Sequence, residues 1–521
     1  MIVGLAGLSI SVADTPAIVV IAEDAMASAD PDNAEPTDKN VAASGNQAVT
    51  AQPAETTVPM LTATVHVTDQ LGRPVAGAVV KPFGLRTRRE PGSHYSWNEK
   101  AFGPAPSVAT DADGIARVPC PKFVFEEVET GTVTWLVDHP DHVVFWADRP
   151  VSDDPAEIPL EDGVVIAVRA IDDTTDQLVK APYAMLSGPS FGNEWTLKDD
   201  GTLVSRTVGR ERRILRVVHV PDDEHEPVLF SDVIDLQQQP GDVLDLTVRL
   251  KPGVRVTGTV DDAVPRPVVG GTVTAMVITG PQDGGQESTY DTRWSWNEVA
   301  AIDEQGRFDL GWFPQGELLQ HIAVCDGFVS APPDQQQLAL SAARLRPPFV
   351  VGAQDRRTQP QVALLEGRAI DVAVPMTPTT SCRIRMVGPD GAPVSGATVA
   401  FWPNQIWLSG GSQVLGDGFS QSGWLRASRR ENAGGSELAR NPARHDASPR
   451  YQATSGDDGI AVVTNVPPEN QASFYVTHPG LELPPGQFLR RDAAVNLVAG
   501  QVAEITVTLQ SKGSQVLGRE N

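Results

Sequence analysis

At 521 residues the chain is longer than one hydrophobic core usually serves, so several domains are expected. Its 46 glycines and 43 prolines, with only 6% aromatic residues, favour many short strands joined by punctuated turns over long helices. Acidic residues outnumber basic ones 66 to 41, and the resulting charge of −25 is spread along the chain; such a field repels phosphate backbones and anionic lipid, which excludes nucleic acid and membrane surfaces as expected partners.

Residues 1–27 begin with the apolar run MIVGLAGLSISV, too short to span a bilayer and interrupted by Asp14 and Pro16. Ala25-Met26-Ala27 resembles a small-residue cleavage site, but no Lys or Arg precedes the apolar run. The segment is therefore expected to be an atypical or truncated signal peptide or anchor, and any membrane attachment would run through it. Residues 28–58 carry almost no large apolar side chains and read as a disordered linker.

Beyond residue 58 the chain repeats itself. An opening element, VHVTDQLGRPVAGAVV at 65–80, returns as IRMVGPDGAPVSGATV at 384–399, with VTGTVDDAVPRPVVGGTV at 256–273 as a third version and the stretch from 164 to 183 as a fainter one. Strand, tight turn, strand predicts a hairpin each time. A second element is an acidic turn followed by a strand: TDADGIARV at 110–118, KDDGTLVS at 198–205, DEQGRFDL at 303–310 and GDDGIAVV at 456–463. Asp accepts from its own backbone and Gly takes positive φ, so these too predict hairpins; none continues to a Glu at calcium-hand spacing. The third element, GDVLDLTVRL at 241–250, GRAIDVAVPM at 367–376 and GQVAEITVTL at 500–509, alternates with period two and predicts a closing strand. AEIPL at 156–160 is a shortened copy. These repeats divide the chain into β-sandwich modules at 59–160, 161–252, 253–378 and 379–510, followed by a tail at 511–521. A short helix is expected over DQQQLALSAARL at 334–345, and the fourth module carries an Arg, Gly and Ser-rich insertion at about 403–450 that reads as a surface loop.

DQLGRPVAGAVV, TDADGIARV and YVTHPGLELP together resemble the carboxypeptidase regulatory-like family, a transthyretin-like, Ig-like β-sandwich. The resemblance covers most of residues 60–510 in four copies. It implies an all-β fold, a tandem array of four Greek-key or prealbumin-like sandwiches, and non-catalytic modules of an exported bacterial protein, related in fold to carbohydrate-binding sandwiches. The localisation it implies is secreted, periplasmic or cell-surface, and the function is binding, adhesion or spacing.

Ser-Trp-Asn-Glu occurs twice, in HYSWNEKAF at 94–102 and RWSWNEVAA at 293–301. The ligand candidates are Trp97, Asn98, Glu99, Trp296, Asn297 and Glu298, with Tyr95 and Trp294 as neighbours. An apolar ring stacks on a sugar face while amide and carboxylate bind hydroxyls; the competing reading is a repeated packing anchor. The expected partner is accordingly a polysaccharide or a protein at the cell surface. GPSFG at 188–192 fits a nucleophile motif around Ser190, but strand and turn follow where a helix is needed, so a loop is expected there. His139 with His142, and His219 with His225, have metal-like spacing within Pro-containing loops and are expected to be solvated turns, as is His478. The carboxypeptidase zinc motif does not occur, and no catalytic residue, metal or cofactor is expected. Cys120, Cys325 and Cys382 lack paired spacing and are expected to be buried free thiols.

Overall fold

The computed structural model describes residues 59–511, except 88–94, 126–127, 188–193, 210–212, 237–242, 280–293, 346–349, 352–358, 403–406, 409–411, 414–416, 424, 427–443, 447–450 and 484–494. Period-two alternation becomes half-buried strands. In Met60–Thr68 the side chains of Ala63, Val65 and Val67 turn inward while Thr64 and His66 face outward. Each fully buried aliphatic side chain of this kind contributes about 1.5–3 kcal/mol.

One arrangement recurs in all four modules. The opening strands are Met60–Thr68, Val165–Asp172, Val254–Val260 and Thr380–Val387. Each takes a parallel partner from its module's end: Ala156–Pro159, Val243–Pro252, Ala369–Val374 or Val502–Thr508. On its other side lies an antiparallel strand that follows the acidic turn: Ile115–Pro121, Leu203–Ser205, Arg307–Phe313 or Ile460–Val466. Parallel neighbours need a long crossover, and here it is the rest of the module, which builds a second sheet in the first, third and fourth modules; in the second, Leu229–Ser231 pairs with Val243–Pro252 and joins all the strands into one eight-stranded sheet. In the third module that sheet runs Trp294–Ala301, Thr272–Thr279, Leu318–Cys325, Phe328–Ser330 and Met376–Pro378, with Gln361–Leu364 also on Leu318–Cys325. The chain is all-β, a tandem array of sandwich modules. Its helices include the short Glu99–Phe102 and Gln335–Arg344; the latter starts at a capping box between Asp334 and Gln337.

The hairpin expectations need correction. In the first module the strands after the opening turn and before the acidic turn, Val79–Thr87 and Val108–Ala109, both belong to the second sheet, so each turn carries the chain from one sheet to the other. The third and fourth modules do the same, whereas in the second the acidic turn joins paired strands, Trp195–Leu197 and Leu203–Ser205. The turn chemistry is as read: Asp111 Oδ1 accepts from the backbone N–H groups of Asp113 and Ile115, and Gly114 stands at φ 73°. What differs is that the flanking strands diverge into separate layers. Gly114 is required twice over, because a Cβ there would lie 2.4 Å from the carbonyl oxygen of Val67. Gly114→Ala is expected to destabilise the first module by about 2 kcal/mol, read as a lower thermal midpoint.

The modules meet in two ways. Between the first and second the contacts include Arg206 with Asp138, and Thr207 Oγ1 donating to the carbonyl of Pro140 at 2.8 Å. From the second module onward the cores run together. Ile214, Val218, Val220, Val228 and Phe230 pack in one cluster with Val254, Val277, Trp296 and Phe313 of the third. Met276, Ile278, Leu318 and Ile322 of the third pack with Val399, Phe401, Tyr451 and Val476 of the fourth. Strands Thr272–Thr279 and Leu318–Cys325 make this possible, being buried on both faces. A near-continuous apolar run such as VTAMVI is the sequence form of a strand covered twice.

Candidate functional site at the junction of the second and third modules

Strand Trp294–Ala301 alternates so that Trp294, Trp296 and Glu298 turn inward. The two indoles stack with centroids 6.2 Å apart and planes 13° from parallel, and the Trp296 ring, wholly buried, meets Phe230 of the second module edge-on at 5.0 Å. Trp296 Nε1 donates to the carbonyl of Trp312 at 3.1 Å. Over Trp294 lies the Arg216 guanidinium, 4.4 Å from the ring, with its Nη2 donating to Glu317 Oε1 at 2.6 Å. Arg216 comes from the second module and Glu317 from the third, and both side chains are largely buried.

Glu298 follows on the same face. Ser420 Oγ donates to its Oε2 at 2.6 Å, and the Ser422 N–H donates to its Oε1 at 3.0 Å. Burial pushes its carboxyl up to about 7, against the pull of the two serines and of Arg426. Ser420 Oγ in turn accepts from the Gly423 N–H at 3.0 Å, which caps the short turn behind it. Leu425 is buried in the shared core, Tyr183 Oη donates to its carbonyl at 3.1 Å, and Arg426 Nε donates to the carbonyl of Pro221 at 3.0 Å. Part of the fourth module's insertion is thus anchored on the second and third modules; Arg429, Arg430, Arg440 and Arg450 lie outside the described residues.

The first Ser-Trp-Asn-Glu copy stands in another setting. Tyr95 belongs to the short strand Tyr95–Ser96. Trp97 is half-buried, donates Nε1 to the carbonyl of Gly103 at 2.8 Å and meets Phe102 edge-on at 5.5 Å. Asn98 caps helix Glu99–Phe102, accepting from the N–H groups of Lys100 and Ala101, and Glu99 is exposed in its first turn. One copy is a helix start and the other a buried strand, so the identical letters are not one structural position. Asn297 is half-buried on the opposite face from Glu298.

The remaining candidates are spread over the chain. Ser190 lies outside the described residues. His139 and His142 have ring centroids 5.1 Å apart, but His139 Nδ1 accepts from the Asp141 N–H and His142 faces Asp162. The His225 N–H is held by Asp223, and His478 Nδ1 accepts from the N–H groups of Gly480 and Leu481. Among the described residues no group of three or more His, Cys, Asp or Glu could hold a metal ion. All three cysteines are free and buried. No described helix is long and apolar enough to cross a membrane.

Sequence reading missed His321, in the doubly covered strand Leu318–Cys325. Its ring is buried, neither nitrogen has a hydrogen-bond partner, and burial pushes it down to about 4. The unfolded chain therefore binds a proton that the fold refuses between about pH 6.5 and pH 4. Stability is expected to fall by about 3 kcal/mol as the pH drops through that window. Denaturant titrations across it should show a shallower slope for His321→Leu.

No family model matches the chain, and no curated protein matches it. Solved structures that resemble it include a minor pilin of Streptococcus agalactiae, at 10% identity over 50% of this chain and 96% of that one, with a TM-score of 0.22. A streptococcal ancillary pilin matches at 11% identity over 61% and 99%, TM-score 0.18. The major pilin subunit of Bacillus cereus matches at 11% over 87% and 100%, TM-score 0.15. These superpositions are partial, and the all-β assignment rests on the sheets described above.

Proposed function

We propose that this chain is a non-catalytic extracellular or cell-surface protein whose four β-sandwich modules, with junctions near residues 160, 252 and 378, act as a spacer that presents module loops to a protein partner. The observation that carries this reading is the continuity of the hydrophobic clusters from the second module into the third and from the third into the fourth. Modules that share core side chains transmit load between them, whereas modules on bare linkers swivel independently. A protein is favoured over a polysaccharide because Trp294 and Trp296, the paired rings that would have formed a platform, lie inside that shared core. The Greek-key-like plan and its resemblance to exported modules favour the surface location.

The test is mechanical unfolding of the purified chain held at its two ends, beside protease treatment of intact cells that express it. The expected record has the second to fourth modules unfolding as one event and the protein cleaved from outside. Four independent events would overturn the spacer, and full protection on intact cells would overturn the location.

A further inference from the structure

We infer that residues 420–423, 425 and 426 of the fourth module's insertion form a clasp that closes over the seam between the second and third modules and opens when Glu298 ionises. The inference deepens the spacer reading and rests on it, since it names the element that would set how firmly two modules are held together.

The clasp leaves strand Asp417–Phe419, which pairs with Arg444–Asp446. It reaches the seam at three places. Ser420 and Ser422 close on Glu298 of the third module, and Arg426 and the Leu425 carbonyl bind Pro221 and Tyr183 of the second, with the Leu425 side chain buried between. Among the described residues the clasp's contacts on the seam include four hydrogen bonds and one buried leucine, a small holding force beside a module core, so this segment can open while the modules stay folded.

Glu298 is the chemically decisive contact, because the hydrogen bonds it receives come from the clasp. Strand Thr272–Thr279 sets Ala275 opposite it. Arg426 is the charge in the clasp that acts on it. The other charges on neighbouring elements are engaged elsewhere: Arg216 with Glu317, Arg307 with Asp303, and Asp309 with Arg255.

With the clasp closed, burial holds the Glu298 carboxyl up at about 7. With the clasp open, water returns it to the ordinary range near 4.3. The closed form therefore binds the proton more tightly. Closure is tightest below about pH 4 and is lost progressively as the pH rises from there to about 7, the open fraction growing up to tenfold per pH unit inside that window and levelling off above it.

The experiment is hydrogen exchange of the full chain between about pH 5 and pH 8, following the amides of Ser422 and Gly423 after division by their intrinsic rates. Wild-type opening is expected to rise about tenfold between about pH 5 and pH 6 and to level off above about pH 7, and Glu298→Gln to be flat throughout, since the amide keeps the shape without the charge. A flat wild type, or a Glu298→Gln variant with the wild-type slope, overturns the clasp. If that variant loses its native tryptophan fluorescence, Ser420→Ala replaces it. That variant should raise opening at every pH and keep the slope, and unchanged protection would overturn the proposal. Failure of the spacer reading is seen separately, as the second and third modules unfolding in different transitions while the pH slope at Ser422 persists.

Discussion

Replacing Trp296 by alanine is expected to cost about 3–5 kcal/mol and to split one unfolding transition into two. The ring is wholly buried, stacks on Trp294 and meets Phe230 at 5.0 Å across the junction. Its loss opens a cavity where two modules share a core, so the penalty falls on the coupling between them as well as on the third module. Calorimetry would show a lower, broader endotherm that resolves into separate components. Trp97→Ala is the control: that ring is half-buried against Phe102 within the first module, so about 1 kcal/mol and unchanged coupling are expected. Equal effects from both substitutions would mean that the shared core does not couple the modules.

The contrast between the two tryptophans shows what the residues could and could not tell. Three of the closing strands were legible because a Gly shortly precedes each and its residues alternate with period two, a pattern that depends on the strand alone. Helix Gln335–Arg344 was legible for the same reason, its start being written locally in Asp334 and Gln337. The paths between sheets were not. A tight acidic turn looks the same whether the strands beyond it stay paired or part into two layers, and the choice is made by which layer the next inward-facing residues join. Burial of Ser-Trp-Asn-Glu was equally hidden. Glu298 finds its serines 122 and 124 positions away, and no local spacing announces that. The apolar run at 272–279 did carry a signal, since a strand without polar alternation has to be covered on both faces.

Arg216 and Glu317 give the other large effect, and here the single and double substitutions should part company. The pair joins two modules with both side chains largely withdrawn from water, so neither charge retains its hydration. Glu317→Ala strands a guanidinium whose Nε and Nη1 already have no hydrogen-bond partner, and a loss of about 3–5 kcal/mol is expected. Arg216→Ala should cost a similar amount, because it removes both the counter-charge and the cation stacked at 4.4 Å on Trp294. The double replacement Arg216→Met with Glu317→Leu removes both charges and restores apolar volume over the indole. It is expected to lie within about 1 kcal/mol of wild type, because the desolvation penalty of the two ions disappears along with their attraction. A double-mutant cycle in denaturant measures this directly. If the double variant is as unstable as either single one, the seam depends on the ion pair itself and not on the surface it fills. If it recovers, the charges fix which faces meet, while the shared hydrophobic core supplies the holding energy.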